Sequence, residues 1–217
     1  MVIALLRTVV IAVSLACVSA AFGADESAPV QKPEVKVGER WAYRRTDDPT
    51  KQPKVTTYED SVAFVGTDEI LTVNKSGTSE SQWNSEWGAM SLGGSGMVFD
   101  KPVGILKFPL MVGAIHETVY SVVARRGSDM RSKNEAKVKV VAWEDVVVPA
   151  GKFRALKIEA IGTYTRLDIR HGGWMRQTFW YAPEVKRWVK IVYEDGFRDP
   201  STPYTHVVHE LTSFTAN

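Results

Sequence analysis

The sequence predicts an all-β protein in which an antiparallel meander forms a barrel, a half-barrel or a sandwich. Three observations support this fold class. Most segments are short runs rich in β-branched and aromatic residues. Gly, Pro, Asn and Asp separate these runs at short intervals. No stretch keeps a helical period for more than two turns, and many short strands with turns between them are typical of barrels and sandwiches.

The amino-terminal region predicts export. Arg7 precedes an apolar run at residues 8–18, and small residues follow the run. The run is shorter than the ~20 residues that a membrane-spanning helix needs. We therefore expect residues 1–23 to be a cleaved signal peptide and the mature chain to be periplasmic or secreted, without a transmembrane segment. The alternative is a lipoprotein anchored through Cys17, the single cysteine of the chain.

The charge balance gives no reason to expect a nucleic-acid partner. Loss of residues 1–23 removes Arg7 from the 27 basic residues and none of the 25 acidic ones, so the expected mature chain has a formal charge of +1. A net charge this close to zero provides no long-range attraction for a polyanion.

The first ordered strand is expected shortly after the amino-terminal segment. Residues 24–34 combine two prolines with several charges, which predicts a disordered lead-in, and residues 35–217 are predicted to form one β domain. Trp41 and Tyr43 lie two residues apart and so share one face of the first strand. Further strands are predicted at residues 56–65, 70–73, 115–125, 136–143, 146–148, 153–170, 175–181, 187–193 and 205–214.

The segment around Trp87 is ambiguous. Trp83, Trp87 and Met90 have a spacing that fits one face of a short helix, but Trp83 and Trp87 also share a strand face. The surrounding Ser, Thr and Asn residues are poor helix formers and favour the strand. Residues 91–96 are rich in Gly and Ser and are predicted to be a mobile loop.

The clearest turn is Pro149-Ala150-Gly151, which separates the run Val146-Val147-Val148 from a strand beginning near Phe153. Proline fixes its own φ and glycine accepts positive φ, so the sequence predicts strand, turn and strand. We expect Gly151 to lie at positive φ.

The spacing of two glycine motifs suggests that the barrel consists of two similar halves. Val37-Gly38 and Val112-Gly113 each precede a strand, and an acidic residue followed by an apolar pair lies about thirty residues after each. His116 stands where Trp41 stands in the first half, so the two halves are not equivalent at every position.

Four motifs together resemble a known group. They are Val37-Gly38-x-x-Trp41-x-Tyr43, Phe108-Pro109-Leu110-x-Val112-Gly113, Val146-x-Val148-Pro149-Ala150-Gly151-x-Phe153-x-Ala155-Leu156-Lys157-Ile158 and Trp180-Tyr181-Ala182-Pro183-x-Val185-x-x-Trp188-Val189-Lys190. The pattern resembles uncharacterised exported bacterial proteins related to the TapB-like domains of unknown function. This resemblance implies a Gram-negative periplasmic β-domain, distantly similar to the half-barrel lipoprotein carriers that hold acyl chains. It brings no catalytic residues with it.

The motifs of common enzyme and metal sites do not match. Ser95 has Gly93 before it but Met97 after it, so the serine-hydrolase elbow is incomplete. His206 and His209 are three residues apart, which places their rings on opposite faces of a strand. We therefore predict no catalytic residue, no metal and no cofactor.

The candidate ligand-binding residues are aromatic and basic. Trp180 and Tyr181 are neighbours in a strand and must face opposite sides. Val189, Ile191 and Tyr193 form an apolar face that suits the core, so Trp188 is predicted on a groove, with Lys190 on the same face two residues later. The predicted ligand-binding set is Trp188, Lys190, Trp180, Trp41 and Tyr43.

Three functions are compatible with these observations. The first is a non-enzymatic periplasmic β-domain that binds an apolar or amphipathic ligand, such as a lipid, glycan or peptide. The second is an interaction or assembly factor whose strand edges meet another envelope protein. The third is an envelope hydrolase. A deep apolar pocket would favour the first, and a filled core with an exposed patch would favour the second.

Overall fold

The computed structural model describes residues 26–48, 52–124, 130–197 and 203–216. The predicted signal peptide, Cys17 and the last residue of the strand expected at 115–125 lie outside these residues. Each strand of the described chain pairs with the next in antiparallel fashion, and the last pairs with the first. The strands are β1 (Arg40–Asp47), β2 (Lys54–Val65), β3 (Ile70–Asn74), β4 (Glu80–Trp83), β5 (Ala89–Leu92), β6 (Met97–Phe99), β7 (Ile115–Ala124), β8 (Met130–Val148), β9 (Gly151–Arg166), β10 (His171–Ala182), β11 (Arg187–Gly196) and β12 (Thr205–Thr215). The all-β prediction is confirmed, and of the three predicted architectures the structure has the closed barrel.

Strand β8 is one continuous strand where the sequence predicted two. The expected break falls near a β-bulge between Val140 and Ala142, which bends the strand without ending it. Beyond the bulge, the β8–β9 hairpin contacts β12, because the Ala150 N–H donates a 3.0 Å hydrogen bond to the Leu211 carbonyl. Gly151 at the hairpin turn has a φ of 137°, as predicted.

The segment around Trp87 also differs from the prediction. Trp83 ends β4, but Trp87 lies in the following turn with a φ of 61° and is not on a strand. The Asn84 side chain forms this turn, because its oxygen accepts hydrogen bonds from the backbone N–H groups of Glu86 and Gly88. The loop predicted at residues 91–96 is shorter, since Ser91 and Leu92 belong to β5.

Alternation along β8 identifies the side chains that fill the barrel. The buried residues are Ser132, Asn134, Ala136, Val138 and Val140, and the exposed residues between them are Arg131, Lys133, Glu135, Lys137 and Lys139. Residues paired directly across two strands share a face of the sheet. The register therefore shows which residues of the neighbouring strands also point inside.

Two glycine turns have the same geometry at the starts of β1 and β7. Gly38 and Gly113 have φ values of 91° and 89°. The Gly38 N–H donates a 2.9 Å hydrogen bond to the Val62 carbonyl in β2, the partner strand of β1. The Gly113 N–H donates a 2.9 Å hydrogen bond to the Val140 carbonyl in β8, the partner strand of β7. These turns match the predicted positions in two halves, β1 to β6 and β7 to β12, although a common origin of the halves stays a prediction.

The segment expected as a disordered lead-in has defined contacts from Glu26 onward. Val30 and Leu110 exchange two backbone hydrogen bonds of 2.8 and 2.9 Å. The Trp143 indole donates to the Glu26 carbonyl oxygen at 3.2 Å, and Val35 is buried. Val30, which packs against the core, supplies an apolar contact that a purely polar segment would lack. No helix in the described residues is long and apolar enough to span a membrane.

Candidate functional site

The five predicted ligand-binding residues lie on two different faces of the barrel wall. Trp41 and Tyr43 have no exposed surface, and Trp188 is 6% exposed; all three point inside. Trp180 and Lys190 are partly exposed on the outer face. The structure therefore does not bring these five residues together in one groove.

A β-bulge explains why Trp188 and Lys190 separate. Trp188 pairs with Tyr181, whereas Lys190 pairs with Trp180, so Val189 is the extra residue of a bulge. Trp180 and Tyr181 face opposite sides, as predicted, and their partners must do the same. The prediction that Trp188 and Lys190 share a face is wrong, because it assumed an unbroken alternation along β11.

One end of the barrel interior is filled with aromatic side chains, and we call it the aromatic end. The Trp188 ring lies 5.8 Å from Trp83, 6.3 Å from Trp87 and 6.0 Å from Phe179, measured between centroids. The Arg187 side chain is enclosed by this cluster, and one of its terminal nitrogens lies 3.0 Å from the Asp60 carboxylate. The aromatic end consists of Trp41, Tyr43, Trp83, Trp87, Phe179, Trp188 and the enclosed Arg187.

Hydrogen bonds from the aromatic end fix the turn between β10 and β11. The Trp41 and Trp87 indoles donate to the carbonyls of Val185 and Lys186, at 2.8 and 2.9 Å. The Tyr43 hydroxyl donates to the Trp188 carbonyl at 2.8 Å. These donors satisfy buried backbone acceptors, so the aromatic end has the properties of a packed core rather than of a binding groove.

Trp180 and Lys190 belong to a charged row on the outer face. They are direct cross-strand partners, and the Lys190 ammonium lies 5.6 Å from the Trp180 ring centroid. The Trp180 indole donates to Glu144 at 2.8 Å. The row contains Arg44, Glu210, Lys190, Trp180 and Lys157 on five adjacent strands. Its groups bind one another, which is the ordinary arrangement on a solvated sheet face.

The opposite half of the interior is polar, and we call it the polar end. Tyr193 pairs with Gln177, which pairs with the buried Ala160, so both polar side chains point inside. The Tyr193 hydroxyl donates a 2.7 Å hydrogen bond to Asp195. The polar end consists of Tyr120, Asn134, Tyr164, Gln177, Tyr193 and Asp195. Tyr164, Gln177, Tyr193 and Asp195 are only partly buried, so this interior is accessible from outside.

The tyrosines of the polar end are hydrogen-bonding groups rather than bases. Burial, with an added contribution from Asp195, raises the pKa of Tyr193 far above its usual range. Burial also raises the pKa of Tyr120, although a hydrogen bond from the Gln177 side chain opposes part of the shift. The hydroxyls therefore stay protonated at neutral pH and are able to donate hydrogen bonds.

Exposed apolar side chains lie next to the polar end, and we call them the apolar rim. Leu167 and Ile169 lie in the turn between β9 and β10, and Phe197 and Tyr204 flank the connection between β11 and β12. His171, the first residue of β10, brings the two hairpins into contact, because its ring centroid lies 4.5 Å from that of Phe197. The apolar rim is Leu167, Ile169, His171, Phe197 and Tyr204.

His206 and His209 lie on opposite faces, as the sequence predicted. His209 pairs with the interior residue Ile191, whereas His206 pairs with Glu194. Nδ1 of His209 lies 2.9 Å from the Tyr58 hydroxyl, and burial, together with the nearby Arg45 charge, lowers the pKa of His209 to about 4. In the part of the chain that the structure describes, no three His, Cys, Asp or Glu side chains lie close enough to hold a metal ion.

A shallow cleft lies between residues 32–35 and the β2–β3 turn. Its volume is about 160 Å³, and the Lys32 ammonium donates to the Ser85 hydroxyl beside it at 3.1 Å. Pockets that enclose organic ligands are larger, ~300–1,000 Å³. This cleft is too small to enclose an acyl chain, so it is not the deep apolar pocket that would favour an enclosing carrier.

Sequence reasoning did not find the polar end or Arg187. Tyr193 and Asp195 are two residues apart in one strand, which was a signal that they share a face. No such signal connects them to Tyr120 or Tyr164, because β7 and β9 meet β11 only through the register of the sheet.

No protein-family model and no curated protein matches this sequence. Solved structures with a similar fold include an exported protein with a YmcC-like fold from Bacteroides fragilis, at 14% identity and a TM-score of 0.52, which covers 87% of this chain and 100% of that one. A provisionally assigned lipoprotein from Parabacteroides distasonis has 12% identity, a TM-score of 0.51 and the same coverage. The hypothetical lipoprotein YmcC from Escherichia coli has 5% identity and a TM-score of 0.50, over 81% of this chain and 84% of that one.

These comparisons define the chain as a β-barrel similar in fold to the YmcC-like proteins. At these identities the likeness is one of fold. The three proteins are named as an exported protein and two lipoproteins. These names agree with the export predicted for this chain, either as a periplasmic or secreted protein or as a lipoprotein. They do not include the TapB-like domains, so that more specific relationship stays a prediction.

Proposed function

We propose that this protein is an exported, non-catalytic β-barrel that binds an amphipathic ligand at its polar end. The observation that carries the proposal is the division of the interior. Aromatic side chains fill one end, while partly exposed Tyr164, Tyr193 and Asp195 line the other. Barrel mouths are common binding sites because they are concave and already formed.

The polar end supplies the groups that recognise hydroxyl- or amide-bearing ligands. The Tyr193 hydroxyl and the Asp195 carboxylate already bond to each other, and each has capacity for a further hydrogen bond. Gln177 adds an amide that both donates and accepts. Tyrosine rings also provide apolar faces on which sugars or alkyl segments stack.

The apolar rim suits the apolar part of the same ligand. Its exposed residues lie beside the polar end, so one molecule extending from the interior would meet both surfaces. This arrangement differs from a carrier that encloses an acyl chain, because the aromatic end is occupied by Trp83, Trp87 and Trp188. The tyrosine hydroxyls stay protonated at neutral pH, so they act as hydrogen-bonding groups and not as bases.

Native mass spectrometry of the protein purified from its own cell envelope tests this proposal. We expect the wild type to retain a co-purified amphiphile and the double variant Tyr193→Phe, Asp195→Asn to lose most of it. Each lost hydrogen bond contributes about 1 kcal/mol, and two such losses weaken binding by roughly 30-fold.

Tyr181→Phe is the matched control, because it removes a tyrosine hydroxyl from the buried aromatic side of the interior. It should retain the ligand as the wild type does. A wild type without any bound mass, or a double variant that retains the mass in full, would contradict the proposal.

A further inference from the structure

The β9–β10 turn and the described ends of the neighbouring β11–β12 connection expose large apolar side chains at the polar end. Leu167 and Ile169 are 55% and 61% exposed in the β9–β10 turn. Phe197 and Tyr204 are 47% and 74% exposed on the adjacent β11–β12 hairpin. Single exposed apolar residues are common on proteins, but four on adjacent connections form a patch of the kind that marks an interaction site.

Ring contacts make these connections one surface. The His171 and Phe197 centroids are 4.5 Å apart, and those of Phe197 and Tyr204 are 5.3 Å apart. The Tyr204 N–H also donates a 2.7 Å hydrogen bond to the Asp195 carbonyl, which holds its backbone against β11. The apolar rim is therefore held in place by backbone and ring contacts on both hairpins.

Two exposed arginines lie beside the β9–β10 side of the apolar rim, since Arg170 belongs to that turn and the Leu167 N–H donates a 2.8 Å hydrogen bond to the Arg131 carbonyl. Arg131 and Arg170 are exposed, and neither makes a salt bridge within the described residues. The one acidic side chain of the β9–β10 turn, Asp168, is held by Arg166 at 2.5 Å, and this hydrogen bond lowers the pKa of Asp168. The two free guanidinium groups are therefore available to an anionic partner.

We propose that the apolar rim and its two flanking arginines bind the surface of an anionic lipid bilayer. Leucine and isoleucine would enter the boundary of the acyl region, tyrosine would lie at the headgroup level, and arginine would pair with lipid phosphates. A fluid bilayer accommodates side chains that project from separate connections, and its negative charge complements Arg131 and Arg170. This inference uses the same rim that the proposed function gives to the apolar part of a ligand, but it does not require the hydrogen-bonding groups of Tyr193 and Asp195.

Co-sedimentation with vesicles tests the inference. The protein carries Cys17→Ser, so that an acyl anchor does not account for binding. We expect it to sediment with vesicles of phosphatidylglycerol and phosphatidylcholine, and much less with phosphatidylcholine alone. Leu167→Ser with Ile169→Ser should weaken the binding about tenfold, because two apolar side chains no longer enter the bilayer. Arg170→Ser should weaken it about fivefold, and added salt should remove that difference.

Val147→Ser is the matched control. Val147 is 71% exposed, more than either rim aliphatic residue, but it lies at the β8–β9 hairpin on the aromatic end. Its loss should leave vesicle binding unchanged. If the double variant fails to fold, Tyr204→Ser at a 74% exposed position provides the same comparison.

Three results would overturn the inference. The first is a wild type that stays in the supernatant with anionic vesicles, which is also the result expected if the rim binds a protein. The second is that folded rim variants sediment as the wild type does. The third is that Val147→Ser loses as much binding as the rim variants, which would indicate nonspecific adhesion through any exposed apolar residue.

Discussion

The Arg187 guanidinium lies 3.0 Å from the Asp60 carboxylate inside the barrel. Arg187 is 1% exposed, and the rings of Trp41, Tyr43, Trp83, Trp87 and Trp188 surround its guanidinium at 4.5 to 5.8 Å. Aromatic faces attract a cation, but they do not replace a counterion in a buried site. Asp60 is therefore the counterion that offsets the cost of burying the Arg187 charge.

Asp60→Ala should lower the free energy of unfolding by about 3–5 kcal/mol, because it leaves a buried charge without its counterion. Urea denaturation measures the change. Adding Arg187→Met to Asp60→Ala should recover a large part of the loss. Asp47→Ala removes a more exposed carboxylate paired with Arg45 and should cost less than about 1 kcal/mol. Equal losses for the two aspartates would contradict a special role for the buried pair.

Trp188→Ala should destabilise the protein by about 3–5 kcal/mol, the cost of removing a large buried aromatic side chain. The sequence predicted Trp188 on a groove, where its loss would affect ligand binding more than stability. Thermal and urea melts compare this variant with Trp180→Ala on the outer face, which should cost less. A stable Trp188→Ala protein that has lost only its affinity for a fluorescent fatty acid would restore the groove interpretation.

Gly151→Val should lower the free energy of unfolding by about 1 kcal/mol or more, because a β-branched residue is strained at a φ of 137°. The nearest side chain to a new Cβ is Phe153 at 3.9 Å, so the cost comes from the backbone and not from a clash. Gly94→Val, at an exposed turn position without positive φ, is the control. A urea midpoint unchanged by Gly151→Val would show that the turn adjusts freely.

Protonation of His209 should make the protein less stable in mild acid. Burial, assisted by Arg45, lowers the pKa of His209 from 6.5 to about 4. Above pH 6.5 the folded and unfolded states are both neutral at this residue. As the pH falls toward 4, the unfolded state binds the proton first, and the free energy of unfolding drops by up to about 3 kcal/mol.

Urea melts between pH 7 and pH 4 measure this dependence. His209→Gln should reduce the slope, whereas His171→Gln, at an exposed position on the rim, should leave it unchanged. An identical slope in the wild type and His209→Gln would mean that other groups produce the acid sensitivity.

Export should remove the segment that ends near Gly23. Arg7, the apolar run after it and the small residues that follow are the basis of this prediction. Amino-terminal sequencing of the protein from its own cells should give Ala24 as the first residue. A chain that starts at a lipid-bearing Cys17, or at an intact Met1, would rule out this cleavage.

Local sequence patterns were sufficient for the strand content, the positive φ of Gly151 and the opposite orientations of Trp180 and Tyr181. These properties depend on a few neighbouring residues. A turn needs a residue that tolerates its φ, and successive side chains in a strand alternate whatever the strand pairs with. The same alternation separated His206 from His209.

The location of the sites was decided by tertiary structure. One extra residue, Val189, reverses the alternation of β11 and places Trp188 inside while Lys190 stays outside. Arg187 is buried because Asp60 and aromatic rings from other strands surround it when the barrel closes. Burial depends on which strands pair and in what register, and these are set by contacts between residues far apart in the chain, which local spacing does not encode.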